Sequence, residues 1–178
     1  MKITSIATAG MIVCTTLAAC SHKAHSSHAG PGRDYDAKNG FSIVPPAGWT
    51  RKGEFMGSFM FYAGPVEDAF AVNLNVDAVQ DDGTPIESTG PGLKKAYAGA
   101  VTAYKAVDEG FVTIDGKKSY WLSSKFTTGS NNVHVQNLQY LIVGGNHKAY
   151  TITFTALDSN FAKYRPLFES TAMTAVTD

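Results

Sequence analysis

The sequence predicts an α+β domain, an antiparallel sheet of about six or seven strands flanked by two helices. Three observations carry this. Short apolar or alternating runs recur between glycine-containing turns, a single strong helical stripe follows the third run, and a second helical segment follows the last. The chain has 178 residues, of which 44% are hydrophobic and 17% charged, the composition of one ordinary globular domain. Its 15 Lys and Arg balance 15 Asp and Glu. A nucleic-acid binder needs a basic stripe to displace counterions, so no nucleic-acid partner is expected.

Taken in order, the strand signals span residues 41–44, 58–63, 69–79, 110–114, 117–127, 133–143 and 148–157. Pro45-Pro46 cannot donate ladder hydrogen bonds and ends the first strand, Gly48 permits a turn, and Trp49 offers a large apolar surface to close the core edge. Asp115-Gly116 separates the fourth and fifth strands and Gly144-Gly145-Asn146 the sixth and seventh, both suited to hairpin turns with positive φ. Between the third and fourth strands, Leu93, Ala96, Tyr97, Ala100, Val101, Tyr104 and Val107 recur at spacings of three and four. That stripe predicts a helix lying on the sheet, starting near Gly90-Pro91-Gly92. Lys94 and Lys95 near its start and Asp108 at its end oppose the helix dipole, so packing must hold it. A second helix is expected after Asp158-Ser159, carrying Phe161, Tyr164, Leu167 and Phe168, with Pro166 predicting a kink or a start near Arg165. A closing strand is expected within residues 172–176.

The N-terminus carries an address. Met1 and Lys2 precede a largely apolar run over residues 3–16, then Leu17-Ala18-Ala19 leads into Cys20. This resembles the bacterial lipoprotein signal, in which small residues precede the cleaved bond and the cysteine sulfur accepts diacylglycerol. The resemblance implies that residues 1–19 leave, that Cys20 becomes the acylated first residue, and that the lipid bilayer is a partner. The expected location is the bacterial cell envelope. Ser21 after the cysteine, rather than Asp, implies the periplasmic face of the outer membrane where a cell has one. Cys14 leaves with the signal, so the body contains no thiol for catalysis, zinc binding or disulfide exchange. Loss of Lys2 leaves a net charge near −1 on the mature chain.

Residues 20–39 have no large apolar side chain before Tyr35 and read as a flexible tether to a domain over residues 40–178. His22, His25 and His28, each three apart, are donors suited to zinc, copper or nickel, although a flexible segment loses chain entropy in converging them.

Gly40-Phe41-Ser42-Ile43, Pro45-Pro46-Ala47-Gly48-Trp49, and Tyr150-Thr151-Ile152-Thr153-Phe154-Thr155-Ala156 followed by Phe161 and Tyr164 to Phe168 resemble the PsbP and DcrB-like superfamily over residues 40–176. The resemblance implies an α/β/α sandwich, and members that act by binding: photosystem assembly proteins, envelope lipoproteins, secretion chaperones and a Ran-binding nuclear factor. It transfers no catalytic or metal residue.

Chemistry-bearing motifs are absent from the sequence: no His-Glu-x-x-His, Gly-x-Ser-x-Gly, phosphate-binding loop or dinucleotide fingerprint. One pattern stands out. In the third strand Asn73, Asn75 and Asp77 share one face while Val72, Leu74 and Val76 share the other. Thr151, Thr153 and Thr155 form a similar row, and His134 with Gln136 is expected to join it. The site expected from these rows is a partly open polar groove lined by Asn73, Asn75, Asp77 and His134, docking a partner or small ligand; a merely hydrated sheet face is the alternative. The functional expectation is a membrane-tethered lipoprotein that binds a protein partner or assists assembly, without catalysis or cofactor. The alternatives are an envelope metal binder using the three tether histidines, and a hydrolase drawing on Ser, Thr and His134.

Overall fold

The computed structural model describes residues 28, 30–55 and 57–178. Seven strands form one antiparallel sheet: β3 (Thr50–Phe55), β4 (Ser58–Glu67), β5 (Phe70–Gln80), β6 (Thr102–Ile114), β7 (Lys117–Thr128), β8 (Val133–Val143) and β9 (Lys148–Leu157). Their order is β3-β4-β5-β9-β8-β7-β6. A smaller sheet, ordered β1-β2-β10, joins β1 (Asp34–Asp36), β2 (Phe41–Ile43) and β10 (Val176–Thr177). Two helices complete the fold, α1 (Ile86–Ala100) and α2 (Phe161–Ala172). The α+β class and all seven expected strands are present.

Register sorts the side chains onto two faces. Leu74 lies opposite Phe154 and Phe154 opposite Leu138, whereas Asn73 lies opposite Thr155 and Thr155 opposite Asn137. The first row faces α2 and the small sheet. There Leu74, Val76, Leu138, Ile152 and Phe154 pack with Phe41 and Ile43 of β2 and with Phe161, Tyr164 and Phe168 of α2 in the main core. The second row faces α1, which lies over β6 and β7 and closes a smaller cluster of Tyr120, Leu122 and Leu141 with Ile86 and Leu93.

Several elements depart from expectation. The helix α1 begins at Ile86 and ends at Ala100, so Gly90-Pro91-Gly92 lies inside it, and Tyr104 and Val107 belong to β6. Thr102 to Ile114 instead pairs along almost the whole of β7, with two register shifts. Ladder hydrogen bonds over this length outweigh a helical spacing that the same side chains also satisfy. In both helices a proline occupies the sixth residue, Pro91 and Pro166, and α2 is one continuous helix from Phe161. Its N-cap is Asn160, not Asp158-Ser159, and the Asn160 side chain donates to Glu67 Oε2 at 2.6 Å instead of capping. Glu67 also accepts from Lys163 Nζ and Tyr164 OH, each at 2.6 Å, tying the end of β4 to α2. Those bonds, Lys163 first, hold its carboxyl below the usual range.

Two strands were not foreseen. The strand β3, all of it exposed, has no apolar alternation and bulges at Gly53, where φ is +83°. The strand β1 lies within the stretch read as tether, and Asp34 there accepts from Arg51 Nη1 at 2.7 Å and from the Tyr62 hydroxyl.

The two glycine turns also differ in kind. Asp115 and Gly116 take φ of +51° and +70°, as a two-residue hairpin turn requires. In the β8–β9 turn the positive φ falls on His147, and Gly144 is needed for space: a Cβ there would sit 2.9 Å from the Tyr150 ring and 3.0 Å from the Asp178 carbonyl. That carbonyl accepts from the Gly145 and Asn146 amides, and Lys117 Nζ donates to Thr177 O at 2.9 Å, so the C-terminal residues are held at two points.

Candidate functional site

Since α1 covers only the β6–β7 side of its face, the β3–β4–β5 side is left open. Asn73, Asn75 and Asp77 project there from β5, as their alternation predicts. They line a groove of about 530 Å³ with Phe55, Phe61 and Phe70. Phe55 is 50% exposed and packs on Phe61 with ring centroids 4.6 Å apart.

The polar groups of the groove bind one another. Ser58 Oγ donates to Asp77 Oδ1 at 2.7 Å, while Asn75 Nδ2 donates to Asp77 Oδ2 at 2.8 Å and to Ser58 Oγ at 3.1 Å. Asn73 Nδ2 donates to the Ala71 carbonyl at 2.9 Å. No lysine or arginine pairs with Asp77 among the described residues, so the groove carries an uncompensated carboxylate between aromatic walls. Ser58 was not singled out by the sequence, because its partnership with Asp77 crosses between β4 and β5.

The threonine row has a different fate. Thr153 is buried beneath α1, where Gln139 Nε2 donates to its Oγ1 at 3.2 Å and also to the Tyr97 hydroxyl. Burial pushes the Tyr97 phenol up. Next to it Ser124 Oγ donates to Asn137 Oδ1 at 2.6 Å within the interior. This polar layer seats α1 and is closed to partners.

His134 is not in the groove. It lies opposite Thr127, and Gln136 opposite Ala156, which puts both on the face that carries α2. Gln136 is buried there and donates to Ser123 Oγ at 2.8 Å, while His134 is exposed. Among the tether histidines, His22 and His25 fall outside the described residues, as does Cys20. The His28 ring stacks on Tyr35 at 4.4 Å, with Nδ1 2.8 Å from Ser42 Oγ and Nε2 2.6 Å from Asp178 Oδ1. Among the described residues, no group of three or more His, Cys, Asp and Glu is placed to hold a metal ion.

Comparison with known proteins gives the fold a context. The sequence profile of the PsbP family matches residues 32–174. Among solved structures, the cyanobacterial PsbP protein CyanoP from Synechocystis sp. PCC 6803 is 19% identical, with a TM-score of 0.64 and coverage of 86% of this chain and 98% of its own. LpqN, involved in cell envelope biogenesis of Mycobacterium tuberculosis, is 13% identical, with a TM-score of 0.58 and coverage of 85% and 88%. The Saccharomyces cerevisiae Ran-binding protein Mog1p is 11% identical, with a TM-score of 0.55 and coverage of 82% and 94%. At these identities the likeness is one of fold. No match is found among curated proteins.

Proposed function

Because this chain belongs to the PsbP family, we propose that its mature form is a lipid-tethered envelope protein that binds a partner without catalysing a reaction, using the open half of its α1 face. The observation that carries the reading is the groove itself, in which half-exposed Phe55 and its neighbour Phe61 flank the Asp77 carboxylate, hydrogen-bonded to Ser58 and Asn75 but neutralised by no cation among the described residues. Aromatic anchors beside a directional polar group are what protein recognition uses, and a carboxylate there favours a partner segment with Lys or Arg next to an apolar side chain. Related folds point the same way: Mog1p binds Ran, and LpqN serves the cell envelope. A fold shared this widely does not choose the partner, so its identity must come from the site.

The groove is not assembled, among the described residues, as a nucleophile with its base. The Ser58 hydroxyl donates to Asp77 directly, with no imidazole between them to take a proton, and His134 lies on the opposite face. The metal reading fares less well than the docking one, because both ring nitrogens of His28 are already engaged, and closing His22, His25 and His28 on an ion would take one of them from Ser42 or Asp178.

A photoreactive side chain placed at Phe70, in the native envelope, tests the groove. A specific adduct is expected, and Phe55→Ala with Asp77→Lys should reduce it at least tenfold while the circular-dichroism spectrum stays unchanged, since truncating an anchor of this kind removes about 2 kcal/mol. An adduct undiminished in the double variant overturns the groove.

Tethering is tested separately. Each buried acyl methylene contributes about 0.8 kcal/mol, so two or three chains on Cys20 hold a body of near-neutral charge without help from basic residues. Cys20→Ser is expected to move the protein to the soluble fraction and to abolish incorporation of labelled fatty acid. High salt should leave the wild type on the membrane, and its release by salt alone would reject the lipid anchor.

A further inference from the structure

A second depression, on the α2 face and unconnected with the groove above, lies between α2 and strands β6 to β8. Its volume is about 490 Å³, and Val112, Trp121, Tyr140, Arg165, Pro166 and Met173 form most of its wall. Tyr140 is only 4% exposed and meets Phe154 edge to face at 6.4 Å, so its ring is held in the main core. Yet its hydroxyl, at the wall of the depression, has no hydrogen-bond partner among the described residues. Four other phenols are partnered, Tyr62 by Asp34, Tyr120 by Glu109, Tyr150 by Asn146 and Tyr164 by Glu67, whereas the Tyr104 hydroxyl shares the lack of a partner among the described residues but does not line this depression. Burial pushes the Tyr140 phenol up, the Glu169 carboxylate adds to this, and Arg165 opposes it, so the hydroxyl keeps its proton and can donate.

The rest of the wall defines what could accept that proton. The Trp121 ring lies close against Gly110, where a Cβ would come within 2.9 Å of the indole nitrogen, and the Arg165 guanidinium stands 5.7 Å from the ring centre. Arg165 Nε donates to Glu169 Oε1 at 2.8 Å. The charged pair is therefore internally neutralised, and an anion entering beside it would meet the Glu169 carboxylate. The surface is aromatic and apolar, with donors and no net charge. Depressions of this size hold small molecules.

We propose that this depression binds a small uncharged molecule with an aromatic or apolar ring and a carbonyl group, the ring lying against Trp121 and the carbonyl oxygen accepting from the Tyr140 hydroxyl. An unpartnered phenol held by the core contributes nothing to folding and is ready for a ligand.

The full mature protein, labelled with nitrogen-15, tests this through the Trp121 indole N–H resonance, identified by its absence in Trp121→Phe. The probes are N,N-dimethylbenzamide, benzoate and toluene. Saturable displacement of that resonance by the amide is expected, with benzoate and toluene each weaker. Tyr140→Phe should weaken the amide roughly five- to tenfold, to the level of toluene, as loss of one hydrogen bond does, while melting at the wild-type temperature or above. Absence of a saturable shift, unchanged amide binding in Tyr140→Phe, or a preference for benzoate overturns the proposal. So does a fall in the melting temperature of Tyr140→Phe, which would mean that the hydroxyl is already used by the fold.

Discussion

Phe168→Ala is expected to destabilise the domain by about 3–5 kcal/mol, the range for deleting a buried phenylalanine from a packed core. Phe168 is 0% exposed and sits where three layers of aromatic contact meet. Its ring stacks on Phe154 at 4.9 Å and on Tyr164 at 5.9 Å, and meets Phe161 at 5.9 Å and Trp49 at 6.4 Å edge to face. These partners come from β9, α2 and the segment after β2, so a cavity there cannot be closed by one element moving alone. Against a total stability of roughly 5–15 kcal/mol, such a loss removes a large share. Urea unfolding monitored by circular dichroism measures it, with Leu167→Ala as the control. Leu167 is the next residue back along the same helix and is 37% exposed. Its truncation should cost less than about 1 kcal/mol. Equal losses in the two variants would show that α2 docks differently.

Two glycines of α1 should respond to alanine with opposite signs. Glycine within a helix normally costs roughly 0.5–1 kcal/mol relative to alanine, because it loses more backbone freedom. Gly92 is open, with nothing within 4 Å of the position a Cβ would take, so Gly92→Ala should stabilise by about that amount. Gly90 is buried, and a Cβ there would stand 2.7 Å from the Tyr120 ring. Tyr120 cannot easily retreat: it is 4% exposed, in contact with Phe111 and hydrogen-bonded to Glu109. Overpacking costs about 1–3 kcal/mol, which exceeds the helical gain, so Gly90→Ala should be net destabilising. Gly90 also precedes Pro91, where a side chain would crowd the proline ring in helical geometry. Melting temperatures above wild type for Gly92→Ala and below it for Gly90→Ala are the expected pair. A stabilised Gly90→Ala would mean that α1 is not pressed onto β7.

The candidate groove is partly legible in the sequence. Alternation alone put Asn73, Asn75 and Asp77 on one side of β5, and it did so because side chains in a strand alternate with period two. The same rule could not place His134 relative to them. That depends on the phase of β8 against β9 and of β9 against β5, and a shift of one residue exchanges the faces. In the pairing of Gln139 with Thr153 and Thr153 with Asn75, it is the odd-numbered residues of β8 that share the groove's face, and His134 falls on the other. Phe55 and Ser58 were invisible for a related reason. The first lies in an edge strand with no apolar pattern, and the second matters only through a carboxylate nineteen residues away in sequence.

Tether and body show the same division. Composition predicts a leash over residues 20–39, yet Asp34–Asp36 adds to β2, and His28 rests on Ser42 and Asp178. A short polar strand has no signature of its own, since its order comes from the partner it pairs with.

By itself, then, the sequence determined what is local in period or in composition. That covers the α+β class, the seven strands with their glycine turns, the polar and apolar sides of β5 and β9, and the apolar run that ends at Cys20. The tertiary structure decided everything that depends on relation: where α1 stops and β6 begins, which strands are neighbours, which half of a face stays open, and that Tyr140 is buried with its hydroxyl unmatched. The physical reason is that burial and hydrogen bonding are shared between residues far apart in the chain, so their outcome is settled by register and packing, whereas propensity and periodicity belong to each segment alone.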